Sequence, residues 1–427
     1  MTIEIIDWAT TDCYGIENGL WFSYKSNNQL KKMKLFFLSL TFFIATIASA
    51  AQLTISPERM QPSSMALVCD NVDCVDSLAK FKMVKEIQPS PSPIPLKKRT
   101  DLGFFERSFV SRANAVFDRN PTLAMILIDK GEIIHERYHP EIKDTTPLLS
   151  YSMSKSLTSM VVGKAHCAGH LPSLDTKMKE VNPILEGTAY GDATIKQILM
   201  MASGAIRGSA FSGGSPYKAG FGNPYDPVLY SSTLNQIRKF KDHQKKSDGT
   251  VVKAGEEFSY KNLDTQSLAF LFPPSGDKSF TKIFENEIWQ AAGTENKGFW
   301  VHDKDDFIHT MSSFHGTPRD WARVSLKILE TVSSKQSDCF TDYMKAATKT
   351  QIKNTGNTMP EDNWMGRSFK GYGYQFWTQN DDDSDAIYLN GYYGQRIAIS
   401  PKKQRIMIVF SYKENYMGEL YKLFASW

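Results

Sequence analysis

Residues 148–156 read Leu-Leu-Ser-Tyr-Ser-Met-Ser-Lys-Ser, with Lys155 three positions after Ser152 at the start of an apolar helical pattern. The apolar positions of that pattern are Met153, Leu157, Met160, Val161 and Ala165. Gly169 supplies a C-terminal stop for the predicted helix. Residues three apart on a helix are neighbours, and the helix N-terminus offers backbone N–H groups to a developing oxyanion. The pair therefore predicts a serine nucleophile, although S-x-x-K also occurs by chance.

A second motif, Tyr260-Lys261-Asn262, offers partners for this serine. A phenol near a lysine ammonium has its anion favoured, so Tyr260 can relay the serine proton. The amide of Asn262 can hold both an acyl substrate and the lysine. A purely structural role is the alternative, because Y-x-N is common by chance.

A third motif, Asn-Gly-Tyr-Tyr-Gly-Gln-Arg at residues 390–396, lies at the entry to a predicted strand. Gly391 would let the backbone approach a substrate closely. The N–H of Tyr392 would complete an oxyanion pair with the N–H of Ser152. A plain hairpin turn is the alternative interpretation.

In this order and at these spacings, the three motifs resemble those of the serine β-lactamase-related hydrolases and penicillin-recognising enzymes. The similarity extends to TIKQILMMASG at residues 194–204 and GYGYQFW at residues 371–377. Over residues 102–425 the chain most resembles the branch with 6-aminohexanoate-dimer hydrolase and class C-like esterases. The resemblance implies an α/β (α+β) fold of the β-lactamase/transpeptidase type. An antiparallel sheet built from the N- and C-terminal parts would be flanked by helices, with a helical insertion at about residues 171–275.

The resemblance also implies roles for individual residues. Ser152 would be the nucleophile, Lys155 the base or proton shuttle, and Tyr260 a second acid or base. Asn262 would bind substrate, and the N–H groups of Ser152 and Tyr392 would form the oxyanion hole. No cofactor or metal is implied.

One departure from the family pattern concerns substrate choice. The penicillin-recognising members carry Lys-Thr-Gly or His-x-Gly in the third motif, whereas this chain reads Leu389-Asn390-Gly391. Asn390 cannot supply a positive charge to a β-lactam carboxylate. We therefore expect hydrolysis of a linear ester or amide, with specificity set by the loop at residues 204–230. The alternatives are a penicillin-binding or β-lactamase-type protein, or a binding protein without turnover.

Composition limits the remaining function classes. The chain has 427 residues, of which 41% are hydrophobic, enough for a substantial core. The 50 Lys and Arg residues nearly balance 46 Asp and Glu, without a basic block, which argues against a nucleic-acid partner. The expected partner is a small ester, amide or peptide-like molecule, and the oligomeric state stays open. We interpret His135, His139, His166 and His170 as satisfied or solvated, not as metal ligands.

The N-terminal part predicts export. Lys31, Lys32 and Lys34 precede an uncharged run over residues 35–48 and a small-residue cleavage site near Ala50. Residues 1–50 therefore read as an upstream extension and a signal peptide, which places the mature protein in the periplasm or outside the cell. The run is too short to favour a membrane-spanning anchor.

Behind the signal, residues 51–101 read as an N-terminal segment ending in a Pro-rich spacer, with the hydrolase domain at residues 102–427. Export would remove Cys13 and favour a bridge between Cys69 and Cys74, leaving Cys167 and Cys339. In the domain itself, residues 123–138 predict a β-hairpin around Lys130-Gly131.

Overall fold

The computed structural model describes residues 84–206, 232–354, 369–380, 385–412 and 417–427. The expected signal peptide, the Cys69–Cys74 bridge and all but the first three residues of the 204–230 loop lie outside these described residues. The strands are β1 Val84–Ile87, β2 Thr122–Asp129, β3 Glu132–Tyr138, β4 Leu148–Leu149, β5 Gly298–Val301, β6 His315–Gly316, β7 Ile352–Lys353, β8 Phe369–Tyr372, β9 Trp377–Asn380, β10 Ile387–Gly391, β11 Gln395–Ser400 and β12 Arg405–Ser411. The helices are α1 Phe104–Arg119, α2 Ser154–Cys167, α3 Met178–Val181, α4 Ala189–Asp192, α5 Ile195–Leu199, α6 Thr233–Ile237, α7 Asn262–Ser267, α8 Phe280–Phe284, α9 Pro318–Ser333, α10 Cys339–Ala347 and α11 Met417–Ala425.

The main sheet has eight strands in the order β3-β2-β12-β11-β10-β9-β8-β7. The predicted hairpin is confirmed as β2 and β3, and β2 pairs antiparallel with β12 near the C-terminus. Every residue of β2 is buried because both faces of the sheet are covered. Ile126 and Ile128 face a core shared with α2 and α9, while Met125 and Leu127 face a second core shared with α1 and α11.

A smaller sheet in the order β1-β5-β6-β4 includes a strand from the segment ahead of residue 102. β1 pairs with β5, so the chain joins the fold before residue 102. The Pro-rich stretch packs on the domain: the N–H of Ser90 donates to the Thr294 carbonyl at 3.0 Å, and that of Ile94 to Gly293 at 2.9 Å. Satisfied backbone groups keep this stretch in place.

Residues 171–206 and 232–275, which the structure describes, form the short helices α3 to α7, as expected of the helical insertion. Thr194 caps α5 through a capping box with Gln197. A disulfide that the sequence analysis did not predict joins Cys167, at the end of α2, to Cys339, at the start of α10. Within the described ranges, no helix has both the length and the apolar character to cross a membrane.

Candidate active site

The predicted nucleophile lies just ahead of α2. Ser152 sits in a 3-10 turn, Tyr151–Met153, and the α-helix begins at Ser154, so Ser152 precedes the helix that it was expected to start. Tyr151 has a φ of 45°, in the left-handed region that a tyrosine rarely adopts. Such local strain is typical of functional turns and has to be held by surrounding contacts.

Two buried serines fix this turn. The hydroxyl of Ser150 donates to the Phe314 carbonyl at 2.7 Å, and the N–H of Phe314 donates to the Ser154 hydroxyl at 3.0 Å. The two hydroxyl oxygens lie 3.0 Å apart. Because the Ser150 hydrogen is used by Phe314, Ser154 is the donor between them. These hydrogen bonds attach the nucleophile turn to Phe314, the residue directly before β6.

The side chain of Lys155 is 1% exposed, and its Nζ contacts three oxygens. These are Ser152 Oγ at 3.0 Å, Asn262 Oδ1 at 2.8 Å and the Met311 carbonyl at 2.6 Å. Burial lowers the pKa of Lys155 from 10.5 to about 7. The neutral amine has two hydrogens, which Asn262 and Met311 can only accept. Its lone pair is left facing the Ser152 hydroxyl, in the arrangement of a general base.

Tyr260 also contacts the nucleophile, and Lys155 Nζ lies 5.3 Å from the centroid of its ring. Its hydroxyl is hydrogen-bonded to Ser152, and its ring stacks on Trp377 with 5.0 Å between ring centroids. Burial raises the pKa of Tyr260, although the Ser152 contact and the positive charge of Arg396 oppose that rise. Burial thus works against the expected stabilisation of the Tyr260 anion and keeps the phenol protonated at neutral pH, where it can serve as a proton donor.

Lys261, which lies between Tyr260 and Asn262 in the second motif, pairs with Asp264. Lys261 Nζ lies 3.6 Å from Asp264 Oδ1, and both side chains are buried. Asp264 also accepts hydrogen bonds from the N–H of Ser203 at 3.2 Å and from its hydroxyl at 3.0 Å. Asp264 thus ties α7 to the residue ahead of the 204–230 loop. Sequence reasoning missed Asp264, whose only signal was its place one turn after Tyr260.

The third motif meets the nucleophile turn, as the resemblance implied. β10 pairs with β9 only at Ile387 and Tyr388, so the edge from Leu389 to Gly391 is not paired with β9. A Cβ on Gly391 would lie 2.3 Å from the Ser150 carbonyl oxygen. Glycine is required here by the approach of the nucleophile turn, a reason the sequence analysis had assigned to the substrate. The ring of Tyr392 lies 6.1 Å from that of Tyr151.

A buried cation lies beside this motif. Arg396 is 1% exposed, is paired with Asn390 across β10 and β11, and donates through Nη1 to the carbonyls of Gly391 and Gln395. Tyr421 of α11 donates to Asn390 Oδ1 at 2.7 Å. Asn390 and Arg396 therefore share the face of the sheet that α11 covers, opposite the face of the nucleophile turn. In the sequence, Arg396 is the last residue of the motif, and nothing in the motif signals its burial.

The structure thus brings together all six predicted site residues. Lys155 is buried, whereas the half-buried side chains at the site are those of Ser152, Tyr260, Asn262 and Tyr392. A buried base below accessible groups is the arrangement that a nucleophilic site requires. Among the residues that the structure describes, no cluster of His, Cys, Asp and Glu side chains could hold a metal ion.

Comparison with known proteins adds the family context. The sequence model of the β-lactamase family matches residues 113–422. No curated protein matches the chain. A Bacillus anthracis protein assigned as a 6-aminohexanoate-dimer hydrolase has a similar structure, with a TM-score of 0.63, 18% identity, and coverage of 87% of this chain and 96% of that one. EstCE1, a hydrolase with promiscuous acyltransferase activity, matches with a TM-score of 0.58 and 12% identity over 76% of this chain and 99% of its own. A class C β-lactamase from Rhodobacter sphaeroides matches with a TM-score of 0.52 and 13% identity over 75% of this chain and 97% of its own.

Proposed function

The chain belongs to the β-lactamase family and has its fold, and from this we propose that it is an exported serine hydrolase that cleaves an ester or amide bond. The observation that carries the proposal is the geometry of Lys155. Its amine has a lowered pKa, uses its hydrogens on two fixed acceptors and faces the hydroxyl of Ser152 at 3.0 Å. That arrangement makes a serine alkoxide accessible near neutral pH.

In the acylation half-reaction, Lys155 takes the proton of Ser152 while Ser152 Oγ attacks the substrate carbonyl. The negative charge on the carbonyl oxygen is stabilised by the N–H groups of Ser152 and Tyr392. When the tetrahedral intermediate collapses, the phenol of Tyr260 donates its proton to the leaving alcohol or amine. The phenolate then recovers a proton from the ammonium of Lys155, which resets both groups.

In the deacylation half-reaction, water attacks the acyl-enzyme. The same two groups, Lys155 and Tyr260, accept the proton of that water and return one to Ser152 Oγ. The products are a carboxylic acid and the free enzyme. Asn262 holds Lys155 in place throughout through Oδ1.

The preferred substrates of this proposal are linear esters or amides. The edge of β10 that β9 leaves unpaired carries Leu389, Asn390 and Gly391, none of which has a positive charge, and the Arg396 side chain is buried on the face of the sheet that α11 covers. Export is supported by the N-terminal pattern and by the Cys167–Cys339 disulfide, since disulfides persist in oxidising compartments.

Labelling of the full chain with a fluorophosphonate, followed by peptide mapping, tests the nucleophile. Wild type should be labelled at Ser152. Ser152→Ala should lose the label, and its turnover should fall by more than about a thousandfold. Ser156→Ala is the matched control, because its buried hydroxyl donates to the Gln375 carbonyl and takes no part in the chemistry. Labelling of another serine would show that the assignment is wrong.

Comparison of two substrates tests the reaction class. The kcat/KM for a butyryl ester should exceed that for a chromogenic cephalosporin. A clear preference for the cephalosporin would favour a β-lactamase instead. A burst of acylation without steady turnover of either substrate would indicate a binding protein.

A further inference from the structure

The side chain of Gln395 is completely buried at the start of β11, directly after the turn Tyr392–Gly394. Its Nε2 carries two hydrogens for three backbone carbonyls, those of Tyr392 at 3.0 Å, Tyr393 at 3.1 Å and Ser411 at 2.7 Å, so that one hydrogen is shared between two of them. Its Oε1 accepts from the N–H of Ser411 at 3.1 Å. One amide therefore joins the turn after β10 to the last residue of β12.

The backbone of this turn has an unfavourable conformation that needs support from its neighbours. Tyr393 has a φ of 55°, a left-handed conformation that the Cβ of a tyrosine disfavours. No glycine relieves that position, so neighbouring contacts have to hold it. Gln395 binds the carbonyl of Tyr393, and the ring of Tyr393 packs against that of Tyr151 with centroids 5.6 Å apart.

The turn also sets the geometry of the proposed oxyanion hole. Gly391 and the Ser150 carbonyl are too close for a side chain at residue 391, so the end of β10 and the nucleophile turn touch directly. A shift of the turn would change the separation between the N–H of Tyr392 and that of Ser152. Displacement of a catalytic group by about 1 Å can lower a rate by about a hundredfold.

We propose that Gln395 is a positioning residue that fixes the backbone N–H of Tyr392 for oxyanion binding. The inference deepens the proposed function and rests on it. Gln395 itself is buried below the turn and acts only through Tyr392. Its amide matters because it binds two consecutive carbonyls of the turn and anchors both to β12.

Gln395→Met tests the proposal, because it keeps side-chain length and removes all of these hydrogen bonds. With a butyryl ester, kcat should fall about a hundredfold, the scale for loss of one oxyanion donor, while KM stays within about threefold. Affinity for an alkyl boronic acid should fall in parallel, because its serine adduct places an oxygen where the oxyanion develops. A folded variant with kcat within about threefold of wild type would overturn the proposal.

Gln375→Met is the matched control. Gln375 is a second buried glutamine, whose Nε2 donates to the carbonyls of Ile198 and Leu199 and whose Oε1 accepts from the hydroxyl of Thr265. The Gln375→Met variant should lower the free energy of unfolding about as much as Gln395→Met does. It should leave the ratio of boronic acid affinity to substrate KM at the wild-type value. An equal loss of boronic acid affinity in both variants would show general loosening and refute the specific role of Gln395.

Gln395→Glu gives a second measurement that is informative if Gln395→Met does not fold. A carboxyl facing three carbonyls has its pKa raised, so at low pH it is neutral and donates one hydrogen bond. The ratio of the kcat of Gln395→Glu to that of wild type should therefore fall as pH rises. A ratio that does not change with pH, whether below one or equal to one, would contradict the proposal. Absence of fluorophosphonate label on Ser152 of wild type would instead refute the proposed function.

Discussion

The pH dependence of acylation should report the buried Lys155. With its pKa lowered to about 7, about half of the enzyme carries the neutral amine at pH 7. At about pH 5 only about 1% would be neutral, and kcat/KM should be about a hundredfold below its plateau. An exposed lysine would be neutral in fewer than about one molecule in a thousand at pH 7.

The assay is kcat/KM for a butyryl ester from about pH 5 to about pH 9, corrected for spontaneous hydrolysis, because this parameter reports groups of the free enzyme. The expected curve rises with pH and bends near 7. Lys155→Arg, which keeps a permanent charge, should abolish turnover at every pH. A flat curve, or a limb whose midpoint lies near 10, would refute the role of burial in activating Lys155.

The same burial should be visible in stability. The pKa of Lys155 is lower in the folded state, so the unfolded chain binds more protons between about pH 7 and about pH 10.5. The free energy of unfolding of wild type should rise with pH across that window, relative to Lys155→Met, by at most about 5 kcal/mol. Below about pH 7 the burial cost is fully present, and Lys155→Met should be the more stable protein, although inactive. Equal pH dependence of the two proteins in denaturant titrations would contradict this linkage.

Three further predictions concern other parts of the molecule. Tyr260→Phe should lower ester turnover by at least about a hundredfold, the scale for loss of an acid, while retaining the pH limb near 7; unchanged turnover would remove Tyr260 from the mechanism. Cys339→Ser breaks a bridge that spans 172 positions and should lower the free energy of unfolding by about 2–5 kcal/mol in non-reducing denaturant titrations. Wild type in reductant should match that variant, and no difference between the oxidised proteins would show that the disulfide is not formed. N-terminal sequencing of exported protein should find Ala51 at or near the start, whereas cytoplasmic protein with residues 35–48 intact would contradict the localisation.

Much of the site was predictable because its chemistry is local in sequence. Ser152 and Lys155 are three residues apart, and Tyr260 and Asn262 are two apart, so each motif sets the relative positions of its members. The protonation of Tyr260 was not predictable in this way. Its pKa depends on burial, on the hydrogen bond with Ser152 and on the charge of Arg396, all of which come from contacts that only the folded chain makes.

The disulfide and the start of the fold show a similar limit. Cys69 and Cys74 suggested a bridge because they are close in sequence, whereas Cys167 and Cys339 are joined by the packing of α10 on α2. The Pro-rich stretch reads as a spacer from its composition. Its backbone hydrogen bonds to residues 293 and 294, about two hundred positions away, attach it to the domain.

The sequence alone determined the order of motifs, the hairpin of β2 and β3 and the helix after Ser152, because short-range periodicity and spacing encode these features. The family was indicated by the resemblance of the three motifs to those of known hydrolases. Tertiary structure decided which partners meet. It gave Lys155 its two obligate acceptors, placed Arg396 behind the third motif, and positioned Gln395 to hold the turn of Tyr392. These contacts join residues far apart in sequence, and the pKa of a group or the position of a backbone N–H depends on all of its neighbours at once.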